Sequence, residues 1–367
     1  MLCLSRRLDL KLHAHEVLNL SAEPDCLCLA TSIYTNGKPT LVVLSISIPG
    51  GVFSYRMSEL KARKRNLSNQ NGPGHHILQT GPDKQRMTLS WHEIPEWQRD
   101  NEYILTGYRR VQNCWSGCIT SIYSYPHNET VNILSHLAGA VVFLLILVTF
   151  RGQYILAYST TTWLDTSVFA IFLLSAVFCL TASAMFHTAT CHSAQVSTQC
   201  HALDYSGIVI LTVGSFVPCL YYGFYCEPAL QACYLCSIAL VGAGAAYIVL
   251  NPEYAKPTHR GARTCVFIGL GLSAMVPVAH LLVSHGAFKL FSEMGFGWLL
   301  ASGGLYITGA LIYANRIPER LVPGKFDLLF ASHQIFHFCV VLAALAHWMC
   351  VLTAFDHWHS GLDGWKL

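Results

Sequence analysis

Residues 168–180 read VFAIFLLSAVFCL, a stretch without a single charged side chain. Its apolar residues cover every face of a helix and do not alternate with polar ones, which argues against a strand of a transmembrane β-barrel. A helix satisfies its own backbone hydrogen bonds, so an apolar helix is the usual way for a chain to cross lipid. This stretch therefore predicts a transmembrane helix.

Similar stretches recur along the chain. It has 367 residues, of which 53% are hydrophobic and only 12% are charged, about half the charged fraction of a soluble domain. Seven windows lack Asp, Glu, Lys and Arg, and each can cross about 30 Å of hydrocarbon as a helix. The windows are 130–150, 166–203, 205–226, 228–252, 264–288, 294–315 and 328–355. The sequence predicts an all-α membrane protein, a bundle of seven transmembrane helices, with six or eight helices as the alternative.

Basic residues predict the orientation of this bundle. They concentrate before the first window and in the fourth and sixth connections, whereas the odd-numbered connections and the tail hold few. The first set comprises Arg109, Arg110, Lys256, Arg260, Arg263, Arg316, Arg320 and Lys325, and the second Arg151, Lys289 and Lys366. The positive-inside rule then predicts a cytosolic N-terminus and an extracytosolic C-terminus in the plasma membrane or an endomembrane.

The chain outside the windows divides into three further segments. Residues 1–86 carry 11 of the 23 Lys and Arg residues, and we expect a cytosolic, largely disordered or doubtful extension in which 39–55 could form a strand or hairpin. Residues 87–128 hold spaced Trp and Tyr residues, which predicts an amphipathic helix at the cytosolic interface. The bundle takes 129–356, and 357–367 form an extracytosolic tail.

Four ionisable residues are expected at one membrane depth. Asp204 has no Lys or Arg near it, because none occurs between Arg151 and Lys256. The second window is too long for one helix, so we expect its helix to end near His187 and a loop to follow at 188–203. The third helix would then begin at Asp204, on the cytosolic side of the membrane. The seventh helix also begins on that side, with FASHQIFHF (330–338). His333 and His337 lie one helical turn apart in that stretch.

Three imidazoles with an open fourth position describe a catalytic zinc site better than a structural one. Asp204 would contact the water at that position, and Ser183, one turn before His187, would point at the site or support the histidine. The alternative is that the His333 and His337 pair only forms hydrogen bonds between helices. Other histidines are expected either as hydrogen-bonding residues between helices (His136, His280 and His347) or as mobile extra ligands in the loop (His192 and His201).

Several blocks of the sequence resemble one known family. They are WHEIPEWQRDNEYILTGYRR, HNETVNILSH, SAMFH, ALDYSGI and PERLVPGKFDLLFASHQIFH. Over residues 88–356 they are similar to the adiponectin-receptor and hemolysin-III family, also called progestin and adipoQ receptors. The resemblance implies seven helices, a cytosolic N-terminus, zinc (Zn2+) on His187, His333 and His337, a water-contacting Asp204 and a nearby Ser183. One departure is Leu134, where the family often has Trp.

The resemblance also implies a choice of functions. Similarity of the family's site to alkaline ceramidases implies zinc-dependent hydrolysis of the amide of ceramide or a related sphingolipid. The alternatives are a receptor with a structural zinc, and a regulator of zinc homeostasis in which the extra donors around the site take part (Cys191, His192, Cys200 and His201). Nothing in the sequence indicates nucleic-acid binding, and no protein ligand can be named from it.

Overall fold

The computed structural model describes three strands between residues 31 and 56, and residues 86–254 and 256–363. The chain divides into two units, Met1–Pro82 and Asp83–Leu367. In the first unit the strands form an antiparallel sheet in chain order; they are β1 (Thr31–Thr35), β2 (Lys38–Ile48) and β3 (Gly51–Arg56). The hairpin of β2 and β3 confirms the strand alternative for 39–55. The predicted disorder of the rest of 1–85 concerns residues outside those described.

The second unit is helical. Its helices are α1 (Trp115–Ser124), α2 (Thr130–Gln153), α3 (Trp163–Ala189), α4 (Ala194–Gly223), α5 (Pro228–Val249), α6 (Arg260–Leu272), α7 (Met275–His285), α8 (Ala287–Glu293), α9 (Phe296–Asn315) and α10 (Ser332–Asp363). Among the described residues, seven helical segments are long and apolar enough to span a membrane. They are α2 to α5, the α6–α7 pair, α9 and α10. The prediction of seven membrane-spanning helices is confirmed.

Four of these helices build the core. Of the apolar windows, 61% is buried in α3 and 50% in α10, but only 11% in the α6–α7 pair and in α9. The centre is aromatic, with Phe143 from α2, Phe172 from α3, Tyr222 from α4 and Phe355 from α10 fully buried. Because lipid tails are as apolar as these rings, the helices are held together mainly by close packing and polar contacts.

One polar contact joins the start of α3 to the end of α10. Thr162 caps α3 in a reciprocal capping box with Asp165, which satisfies the first backbone N–H groups of the helix. The second oxygen of Asp165 accepts hydrogen bonds from the Tyr222 hydroxyl at 2.9 Å and from His359 Nε2 at 3.1 Å. Asp165 and His359 are both completely buried, so this network fixes one end of the bundle.

The predicted amphipathic helix in 88–110 is wrong. There β4 (Thr88–Leu89) pairs with β5 (Tyr108–Arg109), and the connection contains only a single 3-10 turn, Glu96–Gln98. The helix within 87–128 is α1. Long-range partners explain the difference, because Asp327 accepts hydrogen bonds from the Leu105 backbone at 3.0 Å and from Thr106 at 2.6 Å. Such tertiary contacts readily override a local helical pattern.

The expected loop at 188–203 is also wrong in extent. Only four residues separate α3 from α4, because Ser193 caps α4 by accepting a hydrogen bond from the Val196 backbone. Asp204 therefore lies ten residues inside α4 instead of at its start. His201 lies on the helix and not in a loop. The turns added at the beginning of α4 form a wall beside the last turn of α3.

Candidate metal centre

Three histidines meet where α3 ends and α10 begins, which we call the metal end of the bundle. His187 lies in the last turn of α3, and His333 and His337 lie in the first two turns of α10. Their candidate ligand nitrogens all lie within 4.8 Å of one another. The Nε2 atoms of His187 and His333 are 3.1 Å apart. Two nitrogen ligands of one tetrahedral ion, each about 2.0–2.1 Å from it, would be separated by roughly 3.3 Å.

The hydrogen bonds of Nδ1 in two of the imidazole rings decide which nitrogen can bind a metal. His187 Nδ1 lies 2.7 Å from a Glu129 carboxylate oxygen, and His337 Nδ1 lies 3.1 Å from the Asn132 carbonyl oxygen. Both oxygens are acceptors, so each Nδ1 carries a proton and each Nε2 presents a lone pair. Converging lone pairs need a shared proton or cation between them. Two imidazoles whose Nδ1 atoms are held in this way direct Nε2 towards a common point, which fits a metal ion.

Glu129 is the most important residue that the sequence did not assign. It lies directly before α2, at the edge of the first charge-free window, and it also accepts a hydrogen bond of 2.7 Å from the Asn132 amide. Burial alone would raise the pKa of this carboxyl, but the adjacent His187 and the hydrogen bonds from His187 and Asn132 hold its pKa well below its usual range. Glu129 is therefore an anion that orients His187.

Arg109 holds the last turn of α3 from outside the bundle. It is 2% exposed, and its Nη2 donates to the His187 carbonyl oxygen at 2.5 Å and to Thr190 Oγ1 at 2.8 Å. Its Nη1 donates to Ser121 on α1 at 3.0 Å. A cation at a helix C-terminus satisfies unpaired carbonyl groups and complements the helix dipole. Arg109 thus fixes the backbone that carries one of the three histidines.

Asp204 and Ser183 lie beside this cluster. Both are buried, and the Asp204 carboxyl interacts with the Ser183 hydroxyl. A cavity of ≈ 400 Å³ opens at the metal end, and His187, Asp204 and His333 are all in its wall.

A model of the family described as Haemolysin-III related matches residues 124–348.

The chain belongs to this family.

It is 40% identical over 285 residues to Progestin and adipoQ receptor-like protein 1 of Caenorhabditis elegans, covering 78% of this chain and 64% of that protein. It is 38% identical over 258 residues to the Adiponectin receptor protein of Drosophila melanogaster, covering 70% of this chain and 57% of that protein. The yeast protein ADIPOR-like receptor IZH2, from Saccharomyces cerevisiae, is 39% identical over 262 residues, which cover 71% of this chain and 82% of that relative. The chain thus spans less than two thirds of the first two relatives.

The extra donors that were expected near the site do not join the histidine cluster of this Haemolysin-III-related chain. The ring of His192 lies 5.1 Å from Trp115, and that of His201 lies 4.2 Å from Tyr205. Cys191 Sγ lies 3.6 Å from Cys118 Sγ. Among the described residues, the group able to hold a metal consists of His187, His333 and His337.

The remaining span histidines divide into two kinds. His280 pairs with the Tyr234 hydroxyl at 3.0 Å and His347 with the Ser215 carbonyl oxygen at 2.8 Å, which confirms both as hydrogen-bonding residues between helices. For His136 that expectation is wrong. Its ring stacks on His337 with 3.6 Å between centroids, and neither of its nitrogens has a hydrogen-bond partner. Its role is to support the His337 ring, which sequence spacing could not indicate.

Proposed function

We propose that the chain binds zinc through His187, His333 and His337 and hydrolyses the amide bond of a membrane lipid, ceramide or a related sphingolipid. The observation that carries this proposal is the three-histidine cluster beside a buried carboxyl in the wall of a cavity. Three nitrogen ligands leave a fourth tetrahedral position open, as in catalytic zinc sites. Zinc bound here would polarise the amide carbonyl and lower the pKa of a water molecule to about 7.

Asp204 would move the proton. Its carboxylate would accept a proton from the attacking water and return it to the amide nitrogen as the C–N bond breaks, releasing a fatty acid and the sphingosine amine. The Ser183 hydroxyl would orient that carboxylate or donate to the developing oxyanion. Glu129 would keep His187 in the tautomer that offers Nε2. With the predicted cytosolic N-terminus, this reaction would take place near the cytosolic surface.

A receptor with a structural metal is the second candidate. It is favoured by the names of the relatives, which describe receptors. In that case the metal would tie the end of α3 to the start of α10, and a ligand would act by changing how these helices meet. Such a protein needs the histidines but does not need Asp204 as a proton carrier.

The two candidates are separated by turnover in metal-loaded protein. Release of fatty acid from ceramide is measured with purified wild type and with Asp204→Asn, which keeps the side-chain volume. Loss of the proton carrier should slow release by at least about a hundredfold, while the zinc content stays the same. Wild type that holds zinc yet releases fatty acid no faster than Asp204→Asn would refute hydrolysis and favour the receptor.

A further inference from the structure

Two arginines line the same cavity as the histidines. Arg260 is the first residue of α6, and Arg316 directly follows α9, so both lie at the metal end. Arg260 is 8% exposed, and the side chain of Arg316 is 14% exposed. Arginines this deeply buried normally require an anionic partner or a complete set of hydrogen bonds.

The two guanidinium groups are neighbours. The Nη2 of Arg260 donates to the Asp100 carbonyl oxygen at 3.5 Å, and the Nη2 of Arg316 donates to the same oxygen. The carboxylates that face them are those of Asp100, 3.4 Å from Arg260, and Glu102, 3.7 Å from Arg316. These carboxylates are 58% and 64% exposed. Water therefore screens the acids much more than it screens the cations.

Each guanidinium also has an unused donor. The Nε atoms of Arg260 and Arg316 are buried and have no hydrogen-bond partner, and the same holds for Arg99 in the wall of this cavity. A buried donor without a partner costs free energy, more so when it is charged. Paired N–H groups of a guanidinium match the two oxygens of a phosphate or carboxylate.

The rest of the cavity wall adds positive charge. Arg263 is 4% exposed, and its guanidinium is held by the carbonyl oxygens of Tyr254 and Lys256 and stacks over Tyr205. Within the described residues it forms no ion pair. The other acids of the wall interact with other groups: Asp327 with Leu105 and Thr106, Glu129 with His187, and Asp204 with the Ser183 hydroxyl.

We propose that Arg260 and Arg316 form a binding site for an oxyanion, a phosphate or carboxylate carried by a membrane lipid or free in solution. On binding, the anion oxygens would accept from the guanidinium groups, and the exposed Asp100 carboxylate would turn towards water. Anion binding does not require turnover, so it would hold even if the hydrolysis proposed above failed.

The test is a binding titration with the purified full-length protein in detergent. The probe is dioleoyl phosphatidate, and dioleoyl glycerol, which has the same tails and no phosphate, is the control lipid. Wild type should bind phosphatidate at least about tenfold more tightly than Arg316→Gln, since one charged hydrogen-bonding partner is lost. The double variant Arg260→Gln/Arg316→Gln should be weaker still. Arg320→Gln, an exposed position in the same connection and outside the cavity wall, should bind like wild type.

Competition with inorganic phosphate identifies the source of the anion. Displacement of phosphatidate indicates a site for soluble anions, whereas no displacement indicates a lipid headgroup, and both results support an oxyanion site. Unchanged affinity in Arg316→Gln, whose partial exposure makes misfolding less of a concern, would overturn the proposal. So would equal affinity of wild type for dioleoyl glycerol. The unfolding temperature of each variant, measured without lipid, shows whether a loss of affinity reflects loss of folding.

Discussion

Glu129 should control metal affinity although it lies outside the three histidines proposed as ligands. Its carboxylate accepts from His187 Nδ1 at 2.7 Å and from the Asn132 amide at the same distance. Glu129→Gln keeps the shape and one acceptor oxygen but removes the negative charge. His187 would then lose the charge that fixes its tautomer and makes its Nε2 a stronger ligand.

The size of the effect follows from these contacts. A hydrogen bond to a charged group contributes about 1.5–3 kcal/mol and a neutral one about 1 kcal/mol. The difference, about 0.5–2 kcal/mol, corresponds to roughly a two- to thirtyfold change in affinity. Glu129→Ala should lower zinc affinity more, by roughly a hundredfold. It removes both acceptor oxygens, so the Asn132 side-chain amide also loses its partner, and the Oδ1 atom of the same side chain is already buried without one.

Metal affinity is measured by competition between the purified protein and a chelator of known zinc affinity. Glu293→Gln is the matched control, because Glu293 lies 3.1 Å from a histidine, His357, but outside the metal end. The reasoning predicts weaker zinc binding in Glu129→Gln and unchanged binding in Glu293→Gln. Equal affinities for wild type and Glu129→Gln would refute it, as would an equal loss in the two variants.

Three other outcomes follow from the contacts around the site. Burial, and to a lesser extent the charge of Arg109, lowers the pKa of His127 to about 3. Below about pH 6.5 this histidine therefore takes up a proton in the unfolded chain but stays neutral in the folded one. Wild type should therefore lose about 1.5 kcal/mol more stability than His127→Asn between about pH 6.5 and 5 in thermal unfolding, and parallel pH profiles would contradict this. Arg109→Gln should destabilise the chain by about 3 kcal/mol and weaken zinc binding by loosening the last turn of α3. The control Arg110→Gln should have neither effect. Denaturation measures the stability of the two variants, and chelator competition measures their zinc affinity. Asp165→Asn should cost about 3 kcal/mol of stability by breaking a buried pair without changing zinc affinity, and a large change in affinity would show that the two ends of the bundle are coupled.

The seven spans could be predicted because charge is costly in lipid. Gaps between charged residues therefore mark the helices, and three of the seven spans, those of α5, the α6–α7 pair and α9, both begin and end within about four residues of the boundaries of their gap. Helix spacing likewise placed His333 and His337 on one face, and the order of spans brought His187 to the same end. These inferences need only the periodicity of a helix and the direction of each crossing.

The supporting residues could not be predicted in the same way. Glu129 precedes a helix, Arg109 lies in the two-residue strand β5, and His136 looked like one of several span histidines. Each acquires its role from contacts 58 to 201 positions away in the chain, with His187 or His337. The segment 88–110 shows the same limit, because its conformation depends on Asp327 and not on its own pattern of aromatic residues.

The central claim is that His187, His333 and His337 hold one metal ion, and zinc content of the purified full-length protein tests it most directly. His337→Gln removes a buried ligand of α10, and His347→Gln removes a buried histidine of the same helix that bonds to a carbonyl oxygen instead. The account predicts that wild type and His347→Gln contain equimolar zinc and that His337→Gln contains little. Equimolar zinc in folded His337→Gln would contradict it.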